Sequence, residues 1–94
     1  MNGQQLRGYV GWGDMDSYGV VLERDTPYMF HVVADDPEVD FDLYVVDENE
    51  HVVDADESLE SDATCQVVPR WTGPFSIVVR AVSGGGGYTL IVQE

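Results

Sequence analysis

Three groups of carboxylates and a few isolated side chains are the parts of this chain that can do chemistry. Calcium takes about six to eight oxygen ligands, several of them carboxylates held close together on turns. Asp14 and Asp16 form the first candidate group, and Asp35, Asp36, Asp40 and Asp42, flanking one loop, form the second. Asp54, Asp56, Glu57, Glu60 and Asp62 form a third. Its spacing imitates the start of an EF-hand loop, but Leu59 occupies the required glycine and Cys65 the final glutamate, so it is not one. The plain reading of every group is a solvated acidic loop. Nucleophilic chemistry has little to build on. Cys65 is the only cysteine, His31 and His51 are the only histidines, and no Gly-x-Ser-x-Gly occurs. A cysteine nucleophile needs a base, an orienting group and an oxyanion site. Cys65 alternates with Ala63 and Val67 and reads as a small buried hydrophobe.

Recognition of a polymer is the third chemistry available. Aromatic side chains that do not enter a core are common anchors of a binding surface. Tyr44 alternates with Leu43 and Val45, so it faces outward beside Asp42. Trp12 and Tyr9 lie near the N-terminal edge, and Trp71 precedes Gly73 in a loop. We expect Trp71 to cap an open end of the fold, because a small core needs its large residues. The candidate ligand-binding residues are therefore Tyr44, Asp42 and Trp12.

These side chains must be positioned by a small scaffold. A chain of 94 residues makes one domain with one modest core. With 18 acids, four arginines and no lysine, the net charge is -14. Such a surface repels nucleic acid and anionic membrane, so neither is an expected partner. No apolar run approaches the roughly 18 residues that a membrane helix needs. The polar start of the chain carries no secretory signal pattern. A lone cysteine excludes an internal disulfide and a four-cysteine zinc site.

Alternation of apolar and polar residues runs through the whole chain, and no segment has a helical period. Tyr18, Val20 and Leu22 share one phase; so do Tyr28, Phe30 and Val32, and Phe41, Leu43 and Val45. Phe75, Ile77 and Val79, and then Tyr88, Leu90 and Val92, repeat the pattern. Period-two runs bounded by Gly, Pro, Asp and Asn are half-buried strands. Weaker candidates are residues 8–12, 51–54 and 63–68. The spacing predicts about eight short strands, the pattern of an all-β, antiparallel sandwich or barrel; of the two we expect a jelly-roll-like β-sandwich. Asp47-Glu48-Asn49-Glu50 should turn a tight hairpin, with Asn49 at positive φ. The glycine run in residues 83–87 reads as a flexible hairpin tip. Residues 54–62 read as an acidic loop. We take residues 1–7 as a flexible N-terminal segment and residues 8–94 as a single β-sandwich domain.

The order of these motifs resembles the bacterial pre-peptidase C-terminal domain, a β-sandwich appended to many secreted peptidases. It is more distantly similar to the collagen-binding domains of clostridial collagenases. Asp14-Met15-Asp16-Ser17-Tyr18 looks like the family's acid-rich turn into an aromatic-bearing strand. Asp40-Phe41-Asp42-Leu43-Tyr44-Val45 looks like its D-x-D-L-Y-L strand. Asp47-Glu48-Asn49-Glu50-His51-Val52-Val53 looks like the D-x-x-G-x-V hairpin, with Glu50 in place of the glycine. Thr72-Gly73-Pro74-Phe75-Ser76-Ile77-Val78-Val79 looks like A-G-T-Y-Y-I-x-V, and Gly87-Tyr88-Thr89-Leu90-Ile91-Val92 like the closing Y-x-L-x-V.

The resemblance implies a non-catalytic module. It also implies calcium ligands at the turn before the first aromatic strand, where Asp16 matches and Asp14 matches loosely. Further ligands in those relatives come from an acidic upstream segment, and Met1-Asn2-Gly3-Gln4-Gln5-Leu6-Arg7 has no carboxylate. The reading is an accessory domain of a secreted, extracellular protein, with no enzymatic activity of its own. Its partners would be a parent peptidase or other catalytic domain and a protein fibre or polysaccharide. The alternative is a stand-alone extracellular structural protein, calcium-stabilised or halophile-adapted.

Overall fold

The computed structural model describes residues 3–94. Eight strands follow in order: β1 (Gln4–Val10), β2 (Met15–Leu22), β3 (Tyr28–Ala34), β4 (Asp40–Val46), β5 (Val52–Asp56), β6 (Ala63–Val67), β7 (Gly73–Ser83) and β8 (Gly86–Gln93). They form two antiparallel four-stranded sheets, ordered β1-β8-β3-β6 and β2-β7-β4-β5. Only β4 and β5 are joined as a hairpin; every other connection crosses from one sheet to the other, which is the jelly-roll arrangement. None of the described residues forms a helix long and apolar enough to cross a membrane.

The alternation dictates the core. Four of the five apolar triplets are buried throughout. In the first, Leu22 is buried while Tyr18 and Val20 are half-buried against the same cluster. Each such side chain, when fully buried, contributes about 1.5–3 kcal/mol. Tyr88 and Phe41 are fully buried and meet edge to face, with ring centroids 5.5 Å apart, a favoured aromatic geometry. Trp71, expected to cap an open end, stacks on Phe75 with ring centroids 5.8 Å apart but remains 37% exposed.

Residues 4–7, set apart from the domain in the sequence, form the first half of β1. β1 pairs with β8 from Gln4↔Val92 to Val10↔Gly86. Its first half is inconspicuous in the sequence because Gln5 and Arg7 face water and Leu6 is the one apolar residue there, while Val10 at the other end is buried in the core. Met1 and Asn2 lie outside the described residues. Gly8 sits over the buried tyrosine: a Cβ there would lie 2.5 Å from the Tyr88 ring carbon Cζ and 2.9 Å from the Tyr18 hydroxyl. The residue is glycine because the strand runs directly against two phenols.

Three further expectations change. The glycine run is not a hairpin tip; Gly84 and Gly85 carry the chain from one sheet to the other. Residues 54–62 are not all loop, since β5 extends through Asp56. At the β4–β5 turn the positive φ falls at Glu50 (65°), not at Asn49. The Glu50 amide donates to the Asp47 carbonyl at 3.1 Å, and the Asp47 amide to the His51 carbonyl at 2.9 Å. The left-handed residue therefore follows the turn and forms the bulge. Asp47 Oδ1 accepts the amides of Asn49 and His51, which fixes the turn.

The acids of the third group close one long side of the sandwich. There β5 and β6 are the edges of opposite sheets. The amides of Thr64 and Gln66 donate to Asp56 Oδ2 and Asp54 Oδ2, both at 2.8 Å. The Ala34 amide likewise donates to Asp62 Oδ1 at 3.0 Å. A free edge invites pairing with other chains. Here carboxylates on the neighbouring edge satisfy it.

Candidate functional site

Most of the carboxylates expected to gather calcium are engaged elsewhere; the exception is Asp40, whose buried Oδ1 has no hydrogen-bond partner and whose charge acts on Asp42. Asp16 Oδ2 accepts the Tyr88 hydroxyl at 2.6 Å, and Tyr88 in turn lies 2.5 Å from the Tyr18 hydroxyl. Burial, then the bonds to Asp16 and Tyr18, push the Tyr88 phenol far above its ordinary range. Asp35 grips Arg7 through both oxygens, at 2.7 and 2.5 Å. The hydrogen bond from Arg7 holds the Asp35 carboxyl below its usual value. Asp36 Oδ1 accepts the Glu38 amide at 2.9 Å. The Asp14 carboxylate points toward Gly11, and Asp14 anchors its turn through its backbone. Among the described residues no three His, Cys, Asp or Glu side chains converge on a point where a metal could sit.

Tyr44 occupies the expected place and meets a different fate. It stands on the outer face of its sheet between Val78 of β7 and Ala55 of β5. Its hydroxyl donates to Glu57 Oε2 at 2.8 Å and reaches Asp42 Oδ2 at 3.3 Å. Burial, followed by these acceptors, pushes the phenol up to about 12. Asp42 does not project into solvent: it is 6% exposed, beneath the Tyr44 hydroxyl and opposite Arg80. Burial and then the nearby Asp40 charge raise its carboxyl above the ordinary value. The expected binding pair is thus half-buried and internally satisfied. The outward alternation was correct; what it could not show is that the tyrosine folds over the aspartate.

Trp12 is different. It is 76% exposed, with Tyr9 (72%) and Met15 (58%) close by in the chain. The turn that carries it is built for rigidity. The Asp14 amide donates to the Gly11 carbonyl at 2.9 Å, and Gly13 has a φ of 81°. This is a type II turn, which requires glycine at its third position. Two bonds then tie the turn to β7: Gly13 N–H to the Ala81 carbonyl at 3.0 Å, and Ala81 N–H to the Asp14 carbonyl at 3.1 Å. Gly85 lies under it, where a Cβ would come within 2.8 Å of the Trp12 nitrogen. The indole Nε1 donates to the Val82 carbonyl at 3.2 Å. An exposed tryptophan is thereby held in one orientation. Beside it lies a concavity of about 390 Å³, lined by Tyr9, Asp14, Met15 and Asp16. Sequence reasoning named Trp12; the Gly-Trp-Gly-Asp order was the available signal for the turn.

The isolated nucleophile and bases do not assemble. Cys65 is buried in the core, and its thiol donates weakly to the Leu43 carbonyl at 3.6 Å. Burial, then the negative charges of Asp54 and Asp56, push it up to about 12. A thiol held protonated at neutral pH is a poor nucleophile. His31 Nδ1 bonds the Thr64 hydroxyl on an outer face at 2.6 Å, and His51 lies 3.7 Å from Asp47 at the β4–β5 turn.

No family model matches the chain, and no curated protein matches its sequence. Among solved structures, it is similar to that of PliG from Aeromonas hydrophila, a periplasmic lysozyme inhibitor of g-type lysozyme. The TM-score is 0.75 at 13% identity, over 98% of this chain and 85% of that one. At so low an identity, what the two proteins share is the eight-stranded β-sandwich.

Proposed function

We propose that this chain is a non-enzymatic binding module of an exported protein, docking on a basic protein surface through the Trp12 corner. The observation that carries the reading is an exposed indole fixed by its own hydrogen bond on a turn tied to β7. Rigid aromatic anchors lose little entropy on binding, and tryptophan is enriched among residues that dominate interfaces. Asp14 and Asp16 rim the corner, within a chain of net charge -14, so a cationic partner is favoured. The likeness to a periplasmic inhibitor that acts on a protein supports both export and a protein partner. The motif order supports the finer reading, an accessory domain of the pre-peptidase C-terminal type beside a parent peptidase or other catalytic domain.

The test is a binding panel of collagen, chitin, cellulose, peptidoglycan and a g-type lysozyme, run with wild type and Trp12→Ala. Loss of a central tryptophan costs about 2 kcal/mol, roughly thirtyfold in affinity. Unchanged thermal stability with that loss on a protein target supports the reading. Binding that survives Trp12→Ala and Tyr9→Ala, or binding only to polysaccharide, overturns it. The excess of 18 acids over four arginines favours a second reading, a halophile-adapted structural protein; a fold that forms only at molar salt would support it.

A further inference from the structure

The two long sides of the sandwich are finished differently. On one side β6 has its free amides capped by Asp54 and Asp56, and β5 is short and breaks register at Val45/Val46. On the other side β2 pairs with β7 without a register shift, from Met15↔Arg80 to Leu22↔Gly73. It is eight residues long, Met15 to Leu22, and contains no Lys, Arg or Pro. Among the described residues no side chain hydrogen-bonds to the backbone of β2, whose bonds are those to β7 and those of its own side chains. Natural sheets blunt long edges with charges, prolines, bulges or covers; β2 has no proline and no bulge, and its one charge, Asp16, is its second residue and is held by the Tyr88 hydroxyl.

A cleft of about 360 Å³ opens beside this edge, between β2 and β1. Leu6, Tyr18, Val20, Leu22, Leu90 and Val92 line it. On the opposite face of β2, Gly19 looks into open space and Val21 is 68% exposed. An added strand would meet unpaired backbone along its length and an apolar slot on one face.

We propose that β2 is a strand acceptor, and that its occupant is an extended segment of a basic partner protein, with alternating β-branched residues and cationic ends. Strand addition of this kind draws affinity from main-chain hydrogen bonds and selectivity from pockets for alternate side chains. Charge selects the occupant. Asp14 stands just before one end of β2 and Glu23 just after the other, whereas Asp16 is taken up by the Tyr88 hydroxyl and Asp25 by Arg24. A second copy of this chain would bring a further charge of -14 to the contact, which opposes self-pairing. The proposal extends the binding reading along the edge that begins at the Trp12 turn, and it does not need the tryptophan.

The test uses three synthetic peptides of alternating Val and Thr: one flanked by lysines, one flanked by glutamates, and one lysine-flanked with alternate backbone amides N-methylated. Fluorescence anisotropy at low salt gives affinity, and amide hydrogen exchange locates the contact. The lysine-flanked peptide should bind and slow exchange in β2 but not in β6. N-methylation and the change to glutamate should each weaken binding by roughly tenfold or more. Trp12→Ala should leave this binding within about twofold, which separates failure of the edge from failure of the corner. Equal binding of the methylated peptide, or protection outside β2, overturns the proposal. So does a concentration-dependent dimer with β2 already protected, since a second copy would then be the occupant.

Discussion

Asp56→Ala is the sharpest probe of how carboxylates hold this fold together. Asp56 accepts the Thr64 amide at 2.8 Å and the Ser58 amide at 3.1 Å. Burial alone would raise its carboxyl, yet the amide bonds from Thr64 and Ser58 outweigh that and hold it below 3.8. A hydrogen bond to a charged group is worth about 1.5–3 kcal/mol when well shielded. These bonds are exposed to water, so we discount the pair to a total of about 1.5 kcal/mol. For a domain of this size that is a drop in melting temperature of roughly 6–12 °C. Removing one charge from a chain at -14 works the other way, because it relieves self-repulsion. Glu60→Gln, at an exposed position, is the control, and it should be neutral or slightly stabilising. The pH dependence has a definite sign. A depressed carboxyl stabilises the fold above its unfolded pKa, and that contribution is lost as pH falls through the folded value. Wild type should therefore lose stability relative to Asp56→Ala only below about pH 4. Urea melts from pH 7 to pH 2.5, with exchange at the Thr64 amide, check both. If Asp56→Ala melts with wild type and Thr64 exchange is unchanged, the carboxylate seam contributes nothing and the argument fails.

Gly8→Ala should cost about 2–3 kcal/mol by urea melt, since the new methyl meets two phenols packed against a full core. Glu50→Gly should stabilise by about 0.5 kcal/mol, as relief of left-handed strain exceeds the added chain entropy; Glu50→Gln reports the charge effect alone, and a gain as large as that of glycine would exclude the backbone explanation. Sodium chloride should raise the melting temperature by screening the excess of acids. Calcium at matched ionic strength should add nothing further, and a larger calcium shift would show that carboxylates converge on an ion after all.

Alternation made the core legible. Phe30, Leu43, Ile77 and Leu90 could be placed inward from their neighbours alone, because the strand period is two. β1 was legible only in its second half, within residues 8–12, because its first half, with Gln4, Gln5 and Arg7, offers Leu6 alone as an inward signal. Asp54 and Asp56 looked like solvent because nothing local says that β6 lies opposite. Their spacing of two matches that of Thr64 and Gln66, a signal that has meaning only once the two edges are known to be neighbours. The glycine run could not reveal its partner sheet for the same reason. Trp12 was legible as an aromatic outside the alternating runs. Tyr44 was legible in direction, but its burial depends on Glu57, which lies beyond the end of the next strand.

The acidity of the chain acquires a structural logic from these placements. With no lysine and four arginines, the chain has few cations for its carboxylates; among the described residues Arg7 pairs with Asp35 and Arg24 with Asp25. The structure instead spends carboxylates on hydrogen-bond donors: backbone amides for Asp47, Asp54, Asp56 and Asp62, phenols for Asp16 and Glu57. Such acceptors are satisfied by donors of the chain itself. They also act unevenly. The seam of Asp54 and Asp56 seals the β5–β6 side, while the β1–β2 side keeps an apolar cleft, a bare strand edge and a fixed tryptophan at its corner. A partner carrying positive charge therefore meets a molecule that attracts it from every direction and offers main-chain pairing along one edge, so the charge sets the rate of encounter and the β1–β2 side sets where it ends.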